Sequence, residues 1–268
     1  MSAQASAGLP LLVVIDPAAR TMDGESVRIA KDVLRAGASS LKICLPDNGE
    51  ELQRALAHRG RRRPVVIGDD HSLLRTVRIL HLQGALGEAA LSMVPVGQRS
   101  ALALSRRLGV PQSAVAAARA ALDGADRDLD LLLDESGGIV LGALRIPSRP
   151  APVAKGNWLE RGARSLARTL TGANGHALGQ RLRVEADGVV LADLDRPVHE
   201  VSVRSPAGGL ADVYVHHPED GRPLRVRAQA VTISGRDYRY HADESLTGPV
   251  RTRTWTVQAD AWRLTVPR

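Results

Sequence analysis

Three short loops hold most of the side chains with which this sequence is able to bind a charged ligand. Residues 16–20 (DPAAR), 68–72 (GDDHS) and 95–100 (PVGQRS) each follow a short apolar run and precede a helical pattern. A helix that begins after such a loop presents free backbone N–H groups, and its dipole favours an anion such as phosphate. The loops add carboxylates, hydroxyls and arginines to these backbone donors. This combination predicts a site for a phosphorylated ligand.

The first half of the chain repeats the order strand then helix, which places the three loops in one region. The strand candidates are residues 9–15, 40–45, 64–68 and 91–97. They alternate with helical patterns at residues 25–37, 47–60 and 71–83. This order is typical of a parallel sheet covered by helices. Ligands bind such sheets outside the carboxyl ends of the strands, so we expect the three loops to lie along one sheet edge.

Beyond residue 125 the apolar pattern changes to a period of two. Alternating runs separated by turn residues such as DG, PAGG and PEDG predict an antiparallel β-sandwich or barrel. One helix is predicted within this half, at residues 157–170. The predicted fold class is therefore α/β plus all-β. An α/β, nucleotide-binding-like domain spans residues 1–124, and a β-sandwich domain with the inserted helix spans residues 125–268.

The composition of the chain favours anionic partners. Its formal net charge is +7 and its pI is about 10.4, which suits nucleotide phosphates, an acidic membrane surface or nucleic acid. Nucleic-acid binding is supported by charge alone, because the first half has no aromatic ring on which a base stacks.

The single cysteine, Cys44, excludes an internal disulfide framework and fits a reducing cytosol. No apolar run approaches the roughly 20 residues that span a bilayer. We expect a cytoplasmic protein, with peripheral contact at the membrane.

Each motif also has an interpretation that involves no ligand. Residues 69–72 (DDHS) suit an ordinary strand-to-helix turn with an N-cap. His71 is a potential metal ligand, as are the histidines of residues 216–221 (HHPEDG), although proline and Asp-Gly favour a solvated hairpin turn there. Residues 58–63 (HRGRRR) suit either phosphate binding or a solvated loop. The predicted helix at residues 157–170 has arginines opposite an apolar face, which suits an anionic lipid surface or packing against the sandwich.

The order of these segments resembles that of diacylglycerol kinases and related bacterial lipid kinases. In that family a strand leads to a GGDGT loop and a helix. A second strand then leads to P-x-GT-x-N, and a helix ends in R-x-LG-x-P. The present chain has VVIGDDHSLLRTV, then LSMVPVGQRSALALSRRLGVP, then DRDLDLLL. Its last segment, YRYHADESLTGPVRTRTWTVQADAWRLTVP, resembles the family's terminal DGE segment and closing strands. The resemblance covers nearly the whole chain.

The resemblance implies a nucleotide site on the same three loops. Its cofactor-binding positions are Asp16, Pro17, Gly68, Asp69, Asp70, Ser72, Pro95, Gly97 and Gln98. Asp69 and His71 stand where the family has glycines, and Gln98 replaces a threonine. Asp70 matches the aspartate that helps to hold the nucleotide and the metal ion.

The activity that the resemblance implies is ATP-dependent phosphorylation of a lipid hydroxyl, with Mg²⁺ and with a lipid such as diacylglycerol. Asp70 is then a catalytic and metal-binding residue. The general base falls on Glu244, or on Ser245 in the neighbouring register, in which case the base is lost. The alternative is a catalytically degenerate (pseudokinase) protein that binds lipid or nucleotide on the same fold. A homodimer is a further expectation.

Overall fold

A computed structural model describes residues 9–147, 179–205, 208–243 and 245–268. The predicted helix at residues 157–170 lies outside the described residues, as does Glu244. Two sheets account for all the named strands of the described residues, one parallel and one antiparallel. None of the helices in this part of the chain is long and apolar enough to cross a membrane.

A four-stranded parallel sheet forms the first half, as the strand–helix order predicts. The strands are β1 (Pro10–Ile15), β2 (Ser40–Cys44), β3 (Arg63–Gly68) and β4 (Ser92–Pro95). They lie in the order β2-β1-β3-β4. Most residues of β1 and β3 are buried on both faces, which is typical of parallel strands covered by helices. The apolar runs of the sequence therefore become the buried layer that carries the three loops at its carboxyl edge.

Helices cover this sheet, and a polar side chain caps most of them. They are α1 (Pro17–Met22), α2 (Gly24–Gly37), α3 (Gly49–Ala57), α4 (Asp70–Leu82), a 3₁₀ helix (Arg99–Leu102), α5 (Ala103–Arg107) and α6 (Ala114–Asp123). The capping side chains of α1, α2, α3, α4 and α6 are Asp16, Asp23, Asn48, Asp69 and Ser113. Each accepts a backbone N–H that the helix leaves free, which fixes where the helix begins.

A ten-stranded antiparallel sheet forms the second half. Its strands are β5 (Ala125–Asp134), β6 (Ile139–Val140), β7 (Ala143–Ile146), β8 (Leu182–Ala186), β9 (Val189–Ala192), β10 (Glu200–Arg204), β11 (Ala211–His216), β12 (Leu224–Ala228), β13 (Ala230–Ala242) and β14 (Ser245–Val266). The order is β12-β11-β10-β7-β13-β14-β5-β6, and β8 pairs with both β13 and β9. Their inward side chains form one buried cluster that includes Tyr238, Tyr240 and Trp255. The predicted fold class, α/β followed by a β-sandwich, is confirmed.

The last strand joins the two halves. Leu91, just before β4, donates its N–H to the carbonyl of Arg263 and accepts the N–H of Thr265, both at 2.8 Å. Trp262 and Leu264 of β14 lie in one buried cluster with apolar side chains of α4. The two halves are therefore fixed to each other at the carboxyl end of β14. A cleft lies between them near the other end of this strand.

Candidate active site

The loops after β1, β3 and β4 lie side by side, as the sequence predicts. β3 lies between β1 and β4 in the sheet. The N–H of Asp16 donates to the carbonyl of Ile67 at 2.9 Å, and the N–H of Val96 donates to the carbonyl of Gly68 at 2.8 Å. These bonds extend the strand pairing into the loops. The structure thus brings the loop residues to one edge of the sheet.

Ser72 links the first loop to the second. Its hydroxyl donates to Asp16 Oδ2 at 2.6 Å and lies 3.0 Å from Asp69 Oδ1. Asp16 also caps α1 through the N–H of Ala18 at 2.7 Å, and Arg75 Nη2 donates to Asp16 Oδ2 at 3.3 Å. The side chain of Asp16 is 15% exposed, and Asp69 is half-buried. Two carboxylates that retain access to solvent therefore lie on either side of one hydroxyl.

Two glycines allow the loops to approach this closely. A Cβ on Gly68 would lie 2.7 Å from the hydroxyl oxygen of Ser72, and a Cβ on Gly97 would lie 3.2 Å from Cβ of Asp69. The first contact is too short for any side chain, because a Cβ atom is essentially never found within 3.0 Å of a non-bonded heavy atom. Glycine at position 68 is therefore required for Ser72 to reach Asp16.

Asp69 occupies its position without backbone strain. Its φ is −92° and its ψ is −176°, an extended conformation that any residue adopts. Its carboxylate accepts the N–H of Ser72 at 2.9 Å and so caps α4. His71 lies in the first turn of α4 and is exposed. The side chains that stand at the family's glycine positions are thus compatible with the strand-to-helix turn.

Asp70 is completely buried and faces α5. Its two carboxylate oxygens accept the N–H groups of Leu104 at 2.6 Å and Ser105 at 2.8 Å. These are first-turn donors of α5, which have no partner within their own helix. In this arrangement the carboxylate stabilises the start of α5 and has no surface exposed to solvent. Its predicted role as a nucleotide and metal ligand stays a prediction.

The other predicted binding residues border the same loops. Pro17 is half-buried and is the first residue of α1. Pro95 is buried and ends β4. Gln98 precedes the 3₁₀ helix, is exposed, and makes no capping hydrogen bond with its side chain. Pro95 therefore shapes the loop from inside, whereas Gln98 faces solvent.

A cleft of about 430 Å³ lies between α4 and the second sheet. On the α4 side it is lined by His71, Leu74, Arg75 and Arg78. These positions lie on one face of the helix, since residues three or four apart are neighbours. In the sequence, His71 was the only one of these residues predicted as a ligand, although Arg75 and Arg78 follow the loop at helical spacing. Because α4 carries Ser72 on the loop side, it connects the three loops to the cleft.

Asp243 orders the second-sheet side of the cleft. Its carboxylate accepts the N–H groups of Leu141, Gly142 and Ala143 at 2.7–3.0 Å. Burial raises the pKa of this carboxyl, and the three backbone donors oppose the rise only in part. Ser245 is exposed and also lines the cleft. The predicted base, Glu244, lies outside the described residues, but both of its chain neighbours line the cleft.

Asp134 and Arg253 form a charged pair on the same wall. Arg253 Nη1 lies 3.8 Å from Asp134 Oδ1 and 3.6 Å from Glu135 Oε1. Burial acts to raise the pKa of Asp134, but hydrogen bonds from Ser136 and Gly138 outweigh it and lower the pKa. These residues come from strands far apart in sequence, so no local pattern indicated that they would meet.

Two other sequence motifs serve the fold. In the HRGRRR segment Arg59 is buried, not solvated, and its guanidinium bonds to the carbonyls of Leu56 and Ala85 and to Glu88. In the HHPEDG segment His217 is also buried, with Nδ1 at 3.0 Å from the carbonyl oxygen of Pro197. The expectation of a solvated loop holds for the other residues of both segments, which are exposed or half-buried, and it is wrong for Arg59 and His217. Among the described residues, no group of three or more His, Cys, Asp or Glu is placed to hold a metal ion.

Solved structures of lipid kinases share this fold. A diacylglycerol kinase from Bacillus anthracis strain Sterne aligns with a TM-score of 0.70 at 15% identity, covering 97% of each chain. A second structure assigned as a diacylglycerol kinase from the same strain aligns with a TM-score of 0.71 at 16% identity, covering 97% of this chain and 98% of that one. No protein-family model and no curated protein sequence matches the chain. The resemblance read from the sequence is thereby confirmed at the level of the fold.

Proposed function

We propose that the protein transfers the γ-phosphoryl group of ATP to the hydroxyl of a lipid, in the cleft between its two halves. The observation that carries this proposal is the position of α4. Its first turn completes the three-loop edge, where a phosphorylated ligand is expected, and its next two turns line the cleft. A site for the donor and a site for the acceptor therefore share one helix. The likeness to diacylglycerol kinases over 97% of the chain supports the same function.

The nucleotide phosphates are expected at the loops after β1, β3 and β4. Gly68 and Gly97 keep the backbone free of side chains there, and the N-terminus of α4 favours an anion. Mg²⁺ commonly binds one or two carboxylates together with phosphate oxygens and water. The carboxylates of Asp16 and Asp69 on either side of Ser72 fit that need. Asp70 positions α5 beside them.

In the transfer, the acceptor oxygen forms a bond to the γ-phosphorus while the bond from that phosphorus to the bridging oxygen breaks. ADP leaves with the electron pair of the broken bond, and the hydroxyl proton passes to a carboxylate base. The resemblance places the base position at Glu244 or at Ser245, and in the second register the carboxylate base is lost. Asp243 has a φ of +50°, a conformation that glycine adopts most readily. This favours the register in which Asp243 replaces the glycine of the DGE segment and Glu244 is the base.

The nucleotide site is tested by calorimetric titration of the protein with Mg·ATP. We expect saturable binding that weakens at least about tenfold in Asp16→Ala, because charge-assisted contacts contribute about 1.5–3 kcal/mol. Asp23→Ala is a matched control, because it removes the cap of α2 (Ser26 N–H to Asp23 Oδ1, 2.9 Å), and this carboxylate makes no hydrogen bond to the three loops in the described structure. No binding at millimolar Mg·ATP would refute the proposed function. Equal affinities for the two variants would refute the site assignment.

Turnover is tested by transfer of labelled phosphate to diacylglycerol in detergent micelles. We expect Glu244→Gln to lower kcat by about 100-fold or more, the usual effect of losing a general base, and Ser245→Ala to retain most activity. The reverse order would contradict the assignment of Glu244 as the base. Binding of Mg·ATP without transfer to any lipid would favour the pseudokinase alternative.

Peripheral contact with an anionic membrane, which the net charge of +7 favours, would be measured as salt-sensitive binding to vesicles.

A further inference from the structure

Several cationic side chains line the cleft beside α4. Three arginines line it, Arg75 and Arg78 on α4 and Arg253 on β14, and the exposed His71 lies on the same wall. Among the described residues, the carboxylates that line it are Asp134 and Asp243. The described lining residues therefore carry three full positive charges against two negative ones, a count that leaves out Glu244.

Both of these carboxylates are engaged by the protein itself. Asp134 accepts the N–H groups of Ser136 and Gly138, each at 2.8 Å, and Asp243 accepts three backbone N–H groups. The backbone donors leave the negative charge of Asp134 in place, and this carboxylate is paired with Arg253. Arg75 is paired with Asp16, and Arg253 also lies near Glu135, so Arg78 is the arginine of this wall that makes no salt bridge among the described residues.

The cleft residues also carry hydrogen-bond donors that have no acceptor. Within the described ranges, Nε of Arg75, Nε of Arg253 and Nε1 of Trp255 are buried and make no hydrogen bond. Buried polar groups without partners are rare in native proteins, because each costs about 1–3 kcal/mol. All three of these groups are donors without accessible surface, so they add uncompensated partial positive charge to the cleft wall and do not contact a ligand directly. An anion such as a phosphate ester is favoured beside such a wall.

The positive charge extends beyond the expected position of the ATP phosphates. Arg78 lies eight residues after Asp70, and a helix rises about 1.5 Å per residue, so it is about 12 Å along α4 from its N-terminus. Among the described residues Arg78 makes no salt bridge, and it is exposed to the cleft. Arg78 therefore offers this part of the cleft a positive charge that can bind a second anionic group, separate from the γ-phosphate.

We propose that the acceptor is an anionic lipid, one whose headgroup carries a phosphate ester next to the hydroxyl that is phosphorylated. This inference rests on the proposed kinase function and concerns its substrate. The headgroup phosphate lies against Arg78 and Arg253, and the hydroxyl faces the γ-phosphate at the N-terminal end of α4. Leu74 and Ile139 line the same cleft, and Leu246, 56% exposed, follows Ser245 in β14. These apolar side chains suit the start of the acyl chains.

The test compares a neutral and an anionic acceptor with identical acyl chains, dioleoylglycerol and dioleoylphosphatidylglycerol. Both are presented as minor components of micelles that contain the same fraction of phosphatidylmethanol, an anionic lipid without a free hydroxyl. The basic protein then meets the same surface charge in every assay. We expect kcat/KM to be at least about tenfold higher for phosphatidylglycerol, the effect of one charge-assisted contact.

Arg78→Gln is expected to reduce this preference about tenfold. Arg119→Gln, which also replaces an exposed helical arginine but on α6 and away from the cleft, leaves the preference unchanged. Equal use of the two lipids, or a preference for dioleoylglycerol, overturns the inference and leaves the kinase function intact. A preference that both variants retain in full also overturns it.

A binding measurement separates failure of the inference from failure of the kinase function. If neither lipid is phosphorylated, the proposed function fails, and glycerophosphoglycerol is titrated while the tryptophan fluorescence is followed, since Trp255 lines the cleft. Saturable quenching that Arg78→Gln weakens and that glycerol does not produce supports an anionic headgroup site. Absence of quenching at millimolar concentration overturns it.

Discussion

Replacement of Asp70 by alanine should destabilise the protein even when no ligand is present. Asp70 is the sole acceptor found for the buried N–H groups of Leu104 and Ser105, at 2.6 and 2.8 Å in the described structure. Without it, two buried donors have no partner, and each such donor costs about 1–3 kcal/mol. The expected loss in the free energy of unfolding is therefore about 2–6 kcal/mol. Asp70→Asn keeps one acceptor oxygen and should lose about half as much.

Urea unfolding followed by tryptophan fluorescence measures this loss, since Trp255 and Trp262 are completely buried. Asp23→Ala is again the control, because it removes an exposed helix cap, for which a loss of about 1 kcal/mol is usual. The expected order of destabilisation is Asp70→Ala, then Asp70→Asn, then Asp23→Ala. The reasoning is refuted if Asp70→Ala is no less stable than the control.

The same series addresses the predicted ligand role of Asp70. If the carboxylate only positions α5, then Asp70→Asn, studied under conditions where it is folded, should bind Mg·ATP within a few-fold of the unmodified protein. A loss of affinity of 100-fold or more in the folded variant would instead support the direct contact that the resemblance implies. Loss of binding in Asp70→Ala alone is uninformative, since that variant is expected to be strongly destabilised.

Three further predictions concern close packing and charge. In Gly124→Ala the new Cβ would lie 2.4 Å from the carbonyl oxygen of Val266, so thermal unfolding should show a loss of about 1–3 kcal/mol, as overpacking usually produces. In Gly68→Ala the Cβ would displace the hydroxyl of Ser72, 2.7 Å away, and calorimetry should show weaker Mg·ATP binding. Asp134 has a pKa below its ordinary value of 3.8, so it contributes stability above that pH which is lost as the pH falls. Asp134→Asn should therefore lose less stability than the unmodified protein between about pH 4 and pH 2.

Gly87→Ala is the control for both glycine variants, because nothing lies within 4 Å of its added Cβ. If Gly124→Ala unfolds at the same temperature as this control, the close contact between the end of α6 and β14 does not require glycine at position 124. If Gly68→Ala binds Mg·ATP as well as the control does, Ser72 need not contact Asp16 in the bound state. A pH profile of Asp134→Asn that parallels that of the unmodified protein would show that another group governs acid unfolding.

Local sequence was sufficient to predict the elements of the first half. The predicted helix at residues 25–37 is observed at Gly24–Gly37, and the one at residues 71–83 is observed at Asp70–Leu82. Both begin at an aspartate whose side chain caps the helix, and capping depends on residues two or three positions apart. The prediction that the three loops share one edge also followed from local order, because strands of one parallel sheet end on the same side.

The sequence did not predict which distant segments contact each other. Asp70 is in a loop motif that suits a ligand, and only its contact with Leu104 and Ser105 shows that the carboxylate is buried. The cleft joins α4 to Arg253 on β14, and burial of a charge depends on everything packed around it. Patterns with a period of two or 3.6 residues record which face of an element is buried. They do not record its partner, so the fold class was determined by the sequence, whereas the composition of the cleft was decided by the tertiary structure.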